Sequence, residues 1–421
     1  MQKELKKASF CIDIGTSSLK AALISECGFV FSSTVVRFSP IQIENPYEIS
    51  NCWINSFFQA GKNLQISNYK IQGISVSGNG PTLTAVNENS TFTILWNKEF
   101  SNSNIHEISE LSKNSKSIFL PRLLYLKKLF PKIYEDAKAI LSGPEFFINF
   151  LTNTQVTILP EKRFLSAYWT KEDLAEFNID YKLLPDFVPI GFNSGFLRKE
   201  ILAKFQIDST EKIPVFCGGP DFVTALIGTN TLSVGKICDR SGSSEGINLC
   251  SNKPIFAEGF RNLPSVISDL YNVSFLLKDT GTRFTQWKNT SKWKENSYEE
   301  CIIDLLKNKE NSGYKLIFEI AKEVKIAFEK IILEKQKNLS IPNETENQII
   351  CTGGQAKNPH WMQFKSDVTN LELCVTNCPD AELMGNAIIS NVGLQNYTSI
   401  QSAAQKMVTV TTKYFPKNSI L

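Results

Sequence analysis

One turn occurs twice in this chain and constrains its fold more than any other feature. Residues 10–14 form a short apolar strand that carries Asp13. Gly15-Thr16-Ser17-Ser18 follow, and residues 19–24 read as a second strand. Glu26-Cys27-Gly28 makes a hairpin turn into a third strand, 29–38. In the other half, residues 236–241 and 245–250 read as a strand pair joined by Gly242-Ser243-Ser244. A glycine–hydroxyl turn between strands exposes backbone N–H groups that can surround a phosphate. It is not a P-loop, which needs a strand, then G-x-x-x-x-G-K-[ST], then a helix. The repetition predicts two similar domains. Taken singly, each turn reads equally as a plain hairpin connection, with Asp13 capping the first.

Size agrees with that division. A chain of 421 residues exceeds what one core usually covers, so two domains are predicted, 1–213 and 214–421. Hydrophobic residues at 42% and charged residues at 21% are ordinary for a soluble globular protein. A net charge of +3 without a basic stripe predicts no nucleic-acid partner. No run of 18 apolar residues exists, which predicts no membrane span. The start, MQKELKKASF, is basic, but the charge inside FCIDIG is wrong for a signal-peptide apolar region. Ten scattered cysteines form no C-x-x-C pair, and His106 and His360 are the only histidines. A zinc site therefore has little to build on, and reduced thiols in a cytoplasm are predicted.

Residues 71–77 read as a buried strand, broken by Gly78-Asn79-Gly80-Pro81, with β-like composition resuming at Leu83–Val86. The stretch 118–151 reads as largely helical, with a stop and fresh start at Ser142-Gly143-Pro144-Glu145. Residues 185–195 read as a long loop. A short strand at 214–217 leads into Gly218-Gly219-Pro220-Asp221 and a small-residue helix, 222–228. Residues 314–337 carry the apolar stripe of a core helix. Then come a strand at 348–351, a helix at Pro359–Thr369, a strand at 371–375 and a helix at 379–392.

Four segments can carry chemistry together. Asp13-Ile14-Gly15-Thr16-Ser17-Ser18-Leu19-Lys20 joins a phosphate-binding turn to a carboxylate that could hold Mg²⁺ through water, since Mg²⁺ keeps much of its hydration shell. Asp221 follows a glycine turn at a helix start, where it could accept a proton from a substrate hydroxyl; Asp is also a common N-cap. Gly242-Ser243-Ser244 is the second candidate phosphate turn. In Thr352-Gly353-Gly354-Gln355-Ala356-Lys357-Asn358, glycines after a strand let a flat ligand or a phosphate approach the backbone.

The order of these segments resembles the FGGY family of carbohydrate kinases over nearly the whole chain. Asp13-x-Gly15-Thr16-Ser17 is similar to the family's first phosphate motif, and Gly242-Ser243-Ser244 to its second, "GTS". Residues 74–78, with Ile94-Leu95-Trp96-Asn97, resemble the sugar-site strand and the "ILWND" segment. Residues 123–152 resemble the family's "LxWLKxxxPExY…DYLxxxLTG" stretch. Gly218-Gly219-Pro220-Asp221 resembles "GGGDQ", whose Asp is the family's catalytic base. Residues 353–361 resemble the adenosine-site "GGGSKSPLW", and 381–389 resemble "ALGAAxLA". The resemblance implies an α/β chain of two ribonuclease-H-like, actin-type domains with mixed five-stranded sheets and ATP in an interdomain cleft. It implies an ATP-dependent kinase acting on a hydroxyl of a ketose such as xylulose, or of a polyol, by in-line transfer, with Asp221 as base and Mg²⁺ as cofactor. It assigns Gly15, Thr16, Ser17, Ser18, Lys20, Gly242, Ser243 and Ser244 to the phosphates, and Gly353, Gly354, Gln355 and Asn358 to the adenosine side. Dimers occur in the family.

The sugar site departs from the family pattern. "GQMHG" is replaced by Gly78-Asn79-Gly80-Pro81-Thr82, with no histidine. Where members carry "TDxSxAS", this chain has residues 157–163, with Glu161 in place of the sugar-binding Asp. Lys98 stands where many members have Arg, and Pro220 replaces the third glycine before the catalytic Asp. The substrate residues implied are Asn79, Gly80, Pro81, Trp96, Glu161 and Asp221. The same departures motivate a rival: a nucleotide-bound sensor on this fold that has lost turnover.

Overall fold

The computed structural model describes residues 5–100, 105–339 and 348–417. The first residues of the basic start, 1–4, lie outside them. Two compact units emerge: Met1–Thr224 with Glu382–Met407, and Ala225–Ala381 with Val408–Leu421.

The first unit is built on a six-stranded sheet, ordered Asn193–Phe196, Pro214–Pro220, Tyr69–Gly78, Lys6–Ile14, Ser18–Ile24, Val30–Arg37. Lys6–Ile14 pairs antiparallel with Ser18–Ile24 and parallel with Tyr69–Gly78. Alternation along Lys6–Ile14 sends Phe10, Ile12 and Ile14 into a core with Trp53 and Phe57 of the helix Ile49–Asn63, while Asp13 points to the other face. The short strand predicted at 214 extends through Pro220 and lies parallel beside Tyr69–Gly78 in this sheet.

The second unit carries a seven-stranded sheet, ordered Phe260–Pro264, Tyr271–Leu277, Glu245–Ser251, Ile237–Ser241, Ile349–Gly353, Leu373–Thr376, Val410–Tyr414. Ile237–Ser241 pairs antiparallel with Glu245–Ser251 and parallel with Ile349–Gly353, repeating the first unit's arrangement. The helix Ser312–Asn338 packs Ile317, Ile320, Val324 and Phe328 into the same core as Ile237, Ile247 and Leu249.

Both sheets share five strands in one spatial arrangement: three antiparallel strands, then two parallel strands beside the first of them. The expected count of five is thus corrected to six and seven. Short strands add at the edges, Asn193–Phe196 in the first sheet and Phe260–Pro264 and Val410–Tyr414 in the second. Such additions cover backbone groups that an edge would expose.

Two other expectations need correction. The stretch 118–151 contains a strand, Ala139–Leu141, between its helices; it pairs with Leu83–Val86, which also pairs with Thr91–Ile94. The loop 185–195 contains Phe187–Val188, paired with Thr157–Ile158, and the start of Asn193–Phe196. The fresh start at Ser142 is a capping box, with the Glu145 carboxylate accepting from the Ser142 N–H at 2.6 Å and opening the helix Gly143–Thr152. Among the described residues no helix is long and apolar enough to cross a membrane.

Candidate active site

In the first unit the site grows from the end of Lys6–Ile14. The turn closes through the Gly15 N–H donating to Ser18 O at 2.9 Å, and a side chain on Gly15 would meet that oxygen at 2.9 Å. Ser17 O accepts from the Phe38 N–H at 2.9 Å, tying the turn to the end of the meander. Asp13 is buried, in register with Lys20 on one side and Ser77 on the other. The Ser77 hydroxyl donates to Asp13 Oδ1 at 2.8 Å. Asn386, on the helix Ala381–Gly393, donates to Ser77 Oγ at 2.8 Å and to Ile12 O at 2.9 Å, and accepts from Ser75 Oγ at 2.9 Å. A hydroxyl and an amide therefore orient the carboxylate. Glu382 begins the same helix, with Oε2 3.6 Å from Lys20 Nζ.

Burial, then the Glu382 carboxylate, push Asp13 up to about 7; Lys20 opposes this, and Asp221 adds to it. Asp13, Asp221 and Glu382 thus form one electrostatic group balanced by Lys20. Asp221 opens the helix Asp221–Gly228 and accepts its neighbour's N–H, Phe222, at 2.6 Å. Gly219 ahead of it has φ +103, the left-handed region that favours glycine. At Gly218 a side chain would meet Asn386 Oδ1 and Val76 O, each at 2.4 Å. Both glycines of the motif are therefore sterically required, whereas Pro220 simply continues the strand opposite Gly78.

The sugar-site candidates adjoin this group. Thr16 Oγ1 accepts from Trp96 Nε1 at 2.8 Å and from Asn79 Nδ2 at 3.3 Å. The Trp96 N–H donates to Thr82 Oγ1 at 3.1 Å. Arg122 donates to the carbonyls of Trp96 and Lys98 and so holds that loop from below. Among the described residues Asn79 Oδ1 is buried with no hydrogen-bond partner, and none lies within 4 Å of where a Gly80 side chain would start. Gly80 and Pro81 form the turn beside them. Glu161 caps the turn Lys162–Ala167 and pairs with Arg163 Nε at 2.8 Å. Phe164 of that turn meets Phe222 edge-on, 6.3 Å between centroids, which sets the segment beside Asp221.

In the second unit the Gly242 N–H donates to Ser244 O at 2.8 Å, and Ser243 O accepts from the Thr282 N–H at 3.0 Å. Gly353 has φ +94, and a side chain there would meet Ser241 O at 2.1 Å, so the 353–358 loop packs directly against the second turn's stem. At Gly354 a side chain would meet none of the described residues within 4 Å, leaving open backbone. Gln355 Oε1 accepts from Trp361 Nε1 at 2.7 Å. Asn358 Oδ1 accepts from the N–H groups of His360 and Trp361, each at 3.1 Å, and caps the helix Pro359–Thr369.

Asp13, Thr16, Lys20, Asn79, Trp96 and Asp221 thus gather in the first unit, and Gly242, Ser243, Gly353 and Gly354 in the second. Ser77, Glu382 and Asn386 escaped sequence reasoning. Asn386 leaves one trace, a polar residue inside the small-residue helix 379–392. Among the described residues no three His, Cys, Asp or Glu side chains stand close enough to hold a metal ion directly. The oxygen donors around Asp13 suit a hard cation held through water.

Comparison with known proteins bears on the family and the fold. Residues 9–228 match the FGGY family of carbohydrate kinases, N-terminal domain, and residues 326–394 match its C-terminal domain. A xylulose kinase of Lactococcus lactis is 24% identical over 464 residues, spanning 94% of this chain and 90% of the relative. The structure of a gluconate kinase from Lactobacillus acidophilus superposes with TM-score 0.76 at 15% identity, covering 98% of this chain and 94% of that one. A ligand-bound xylulose kinase from the same organism gives 0.74 at 15% identity, with the same coverage. The chain belongs to the FGGY family of carbohydrate kinases, enzymes that use ATP as phosphoryl donor.

Proposed function

We propose that this kinase transfers the γ-phosphoryl group of ATP to a hydroxyl of a small ketose, with xylulose the first candidate because relatives that match nearly the whole chain are named xylulose kinases. The observation that carries the reading is the buried Asp13 carboxylate beside the first turn, held by the Ser77 hydroxyl at 2.8 Å and in register with Lys20; burial and Glu382 push it up against Lys20, a strain that a divalent cation would relieve. Mg²⁺ bound through water at Asp13 would neutralise charge on the phosphates.

The protein's own groups do the rest. Asp221 orients the acceptor hydroxyl and takes its proton as the new O–P bond forms and the bond from phosphorus to the β-phosphate oxygen breaks, releasing ADP. A weak carboxylate base suffices when the transition state is loose and the proton leaves late. The hydroxyls of Thr16, Ser17 and Ser243, with the backbone amides of Thr16, Ser17, Ser243 and Ser244, hold phosphate oxygens, while the Gly15 and Gly242 amides close the turns. Gly354 offers open backbone to the adenosine, and Gly353 holds that loop against the second turn. Asn79 Oδ1 accepts a substrate hydroxyl, and Trp96 stiffens the Thr16 side of the same site. Glu161 supplies the second carboxylate toward the sugar. A sensor has no need of Asp221 beside Asp13. The chain's ten cysteines, nine of them buried, suit a reducing cytoplasm, where we place the enzyme.

The test is ADP release with ATP and Mg²⁺ over D-xylulose, other ketoses, D-gluconate and glycerol. Release that depends on the acceptor and is fastest with D-xylulose is expected. Release no faster with any acceptor than without one would overturn the reading.

A further inference from the structure

The second turn rests on a buried ionic group that the reaction itself does not use. Asp239 lies on Ile237–Ser241, and Glu245 opens Glu245–Ser251. The register pairs Asp239 with Ile247 and Ser241 with Glu245, so both carboxylates share one sheet face, on either side of Gly242-Ser243-Ser244. Lys365, on the helix Pro359–Thr369, sets its ammonium against both. All three side chains are 0% exposed. Cys351 Sγ adds a contact to Asp239 Oδ2 at 3.7 Å. Burial and Asp239 push Glu245 up, and Lys365 opposes them.

Such a group is a poor choice for stability alone. Taking charges out of water costs several kcal/mol per ion, and apolar replacements of buried ion groups are often neutral or stabilising. Here Asp239 Oδ1 and Glu245 Oε2 have no hydrogen-bond partner among the described residues, which adds to the cost. What the group does supply is geometry. One ammonium fixes the spacing of the two strands that present the turn. It also ties them to the helix that Asn358 caps, directly after the 353–358 loop.

We propose that Lys365, with Asp239 and Glu245, is a positioning group for ATP: it holds the Gly242–Ser244 turn and the 353–358 loop in one fixed arrangement. This rests on the reading of that turn as a phosphate site.

The test is steady-state kinetics of the full-length Lys365→Met variant, with circular dichroism to check folding. Loss of the brace is expected to raise the KM for ATP about tenfold, a difference of about 1.4 kcal/mol in binding, with the KM for the sugar unchanged. If that variant does not fold, Lys365→Met combined with Asp239→Asn and Glu245→Gln leaves no unbalanced buried charge and takes its place. Ser243→Ala separates the two ideas. An unchanged KM for ATP in the folded Lys365 variant, with a raised one in Ser243→Ala, overturns the brace alone. An unchanged KM for ATP in both overturns the brace and the phosphate role of the turn together.

Discussion

The two phosphate-turn candidates share a backbone and differ in what stands behind it. Behind the first turn, Ile12, Ile14, Leu19 and Ala21 are buried and apolar, packed with the helix Ile49–Asn63. Behind the second, Asp239, Ser241 and Glu245 stand at the matching positions and Lys365 replaces the apolar contact. The opposite faces differ too. Two residues before the turn glycine, the first strand carries Asp13, paired with Lys20, and the second carries Arg240, paired with Gly246. The strand–turn–strand topology therefore prescribes neither support nor charge. An apolar support lets the first turn's charges gather on one face, where Asp13, Lys20 and Glu382 adjust one another. The second turn has its charges in its support.

Substitution can break this comparison. Leu19→Ala removes apolar support from the first turn, where Leu19 is fully buried. It should lower the unfolding free energy by about 2–5 kcal/mol, as deletions of buried Leu do. Chemical denaturation measures this, and a loss below about 0.5 kcal/mol, the size of an ordinary surface change, would show that packing does not hold the turn.

Glu382→Gln sharpens the charge side of the comparison. Removing that carboxylate takes away an influence that raises Asp13 and leaves Lys20, so Asp13 should ionise at lower pH. The acidic limb of the kcat/KM profile should then move to lower pH. The same group bears on stability without metal. Its folded value, about 7, lies above its unfolded value, 3.8, so its contribution is full below 3.8 and lost as pH rises through about 7. In the Glu382→Gln variant that loss should be smaller and end at lower pH, visible in melting temperature against pH with a chelator present.

Trp96→Phe should have the smallest effect. It removes the indole hydrogen bond to Thr16 but leaves the one from Asn79. A neutral hydrogen bond contributes about 0.5–1.5 kcal/mol, so kcat/KM should fall about two- to tenfold. A larger fall would make Trp96 a direct sugar contact rather than a support for the turn.

Local signals in the sequence located both turns, because glycine and hydroxyl residues between short apolar runs carry their own geometry. They also delimit the helix Pro359–Thr369, which has Asn358 as cap and proline at its first position. What escaped is long-range. The strand Ala139–Leu141 has three residues, too few for a period, and exists by pairing with Leu83–Val86. Asn386 reaches Ile12 across 374 residues, and nothing near it in sequence announces that contact. The same holds for Ser77 and Glu382, whose importance comes from facing Asp13 and Lys20. Asp239, Glu245 and Lys365 are likewise brought together only by the sheet and the helix that enclose them.

The account turns on Asp221 as the group that accepts the acceptor's proton. Single-turnover phosphoryl transfer from ATP to D-xylulose by Asp221→Asn measures this directly. General bases contribute about 10²–10⁴ in rate, and a fall of that size is predicted, with ATP binding unchanged. Transfer at a near-native rate would contradict the assignment.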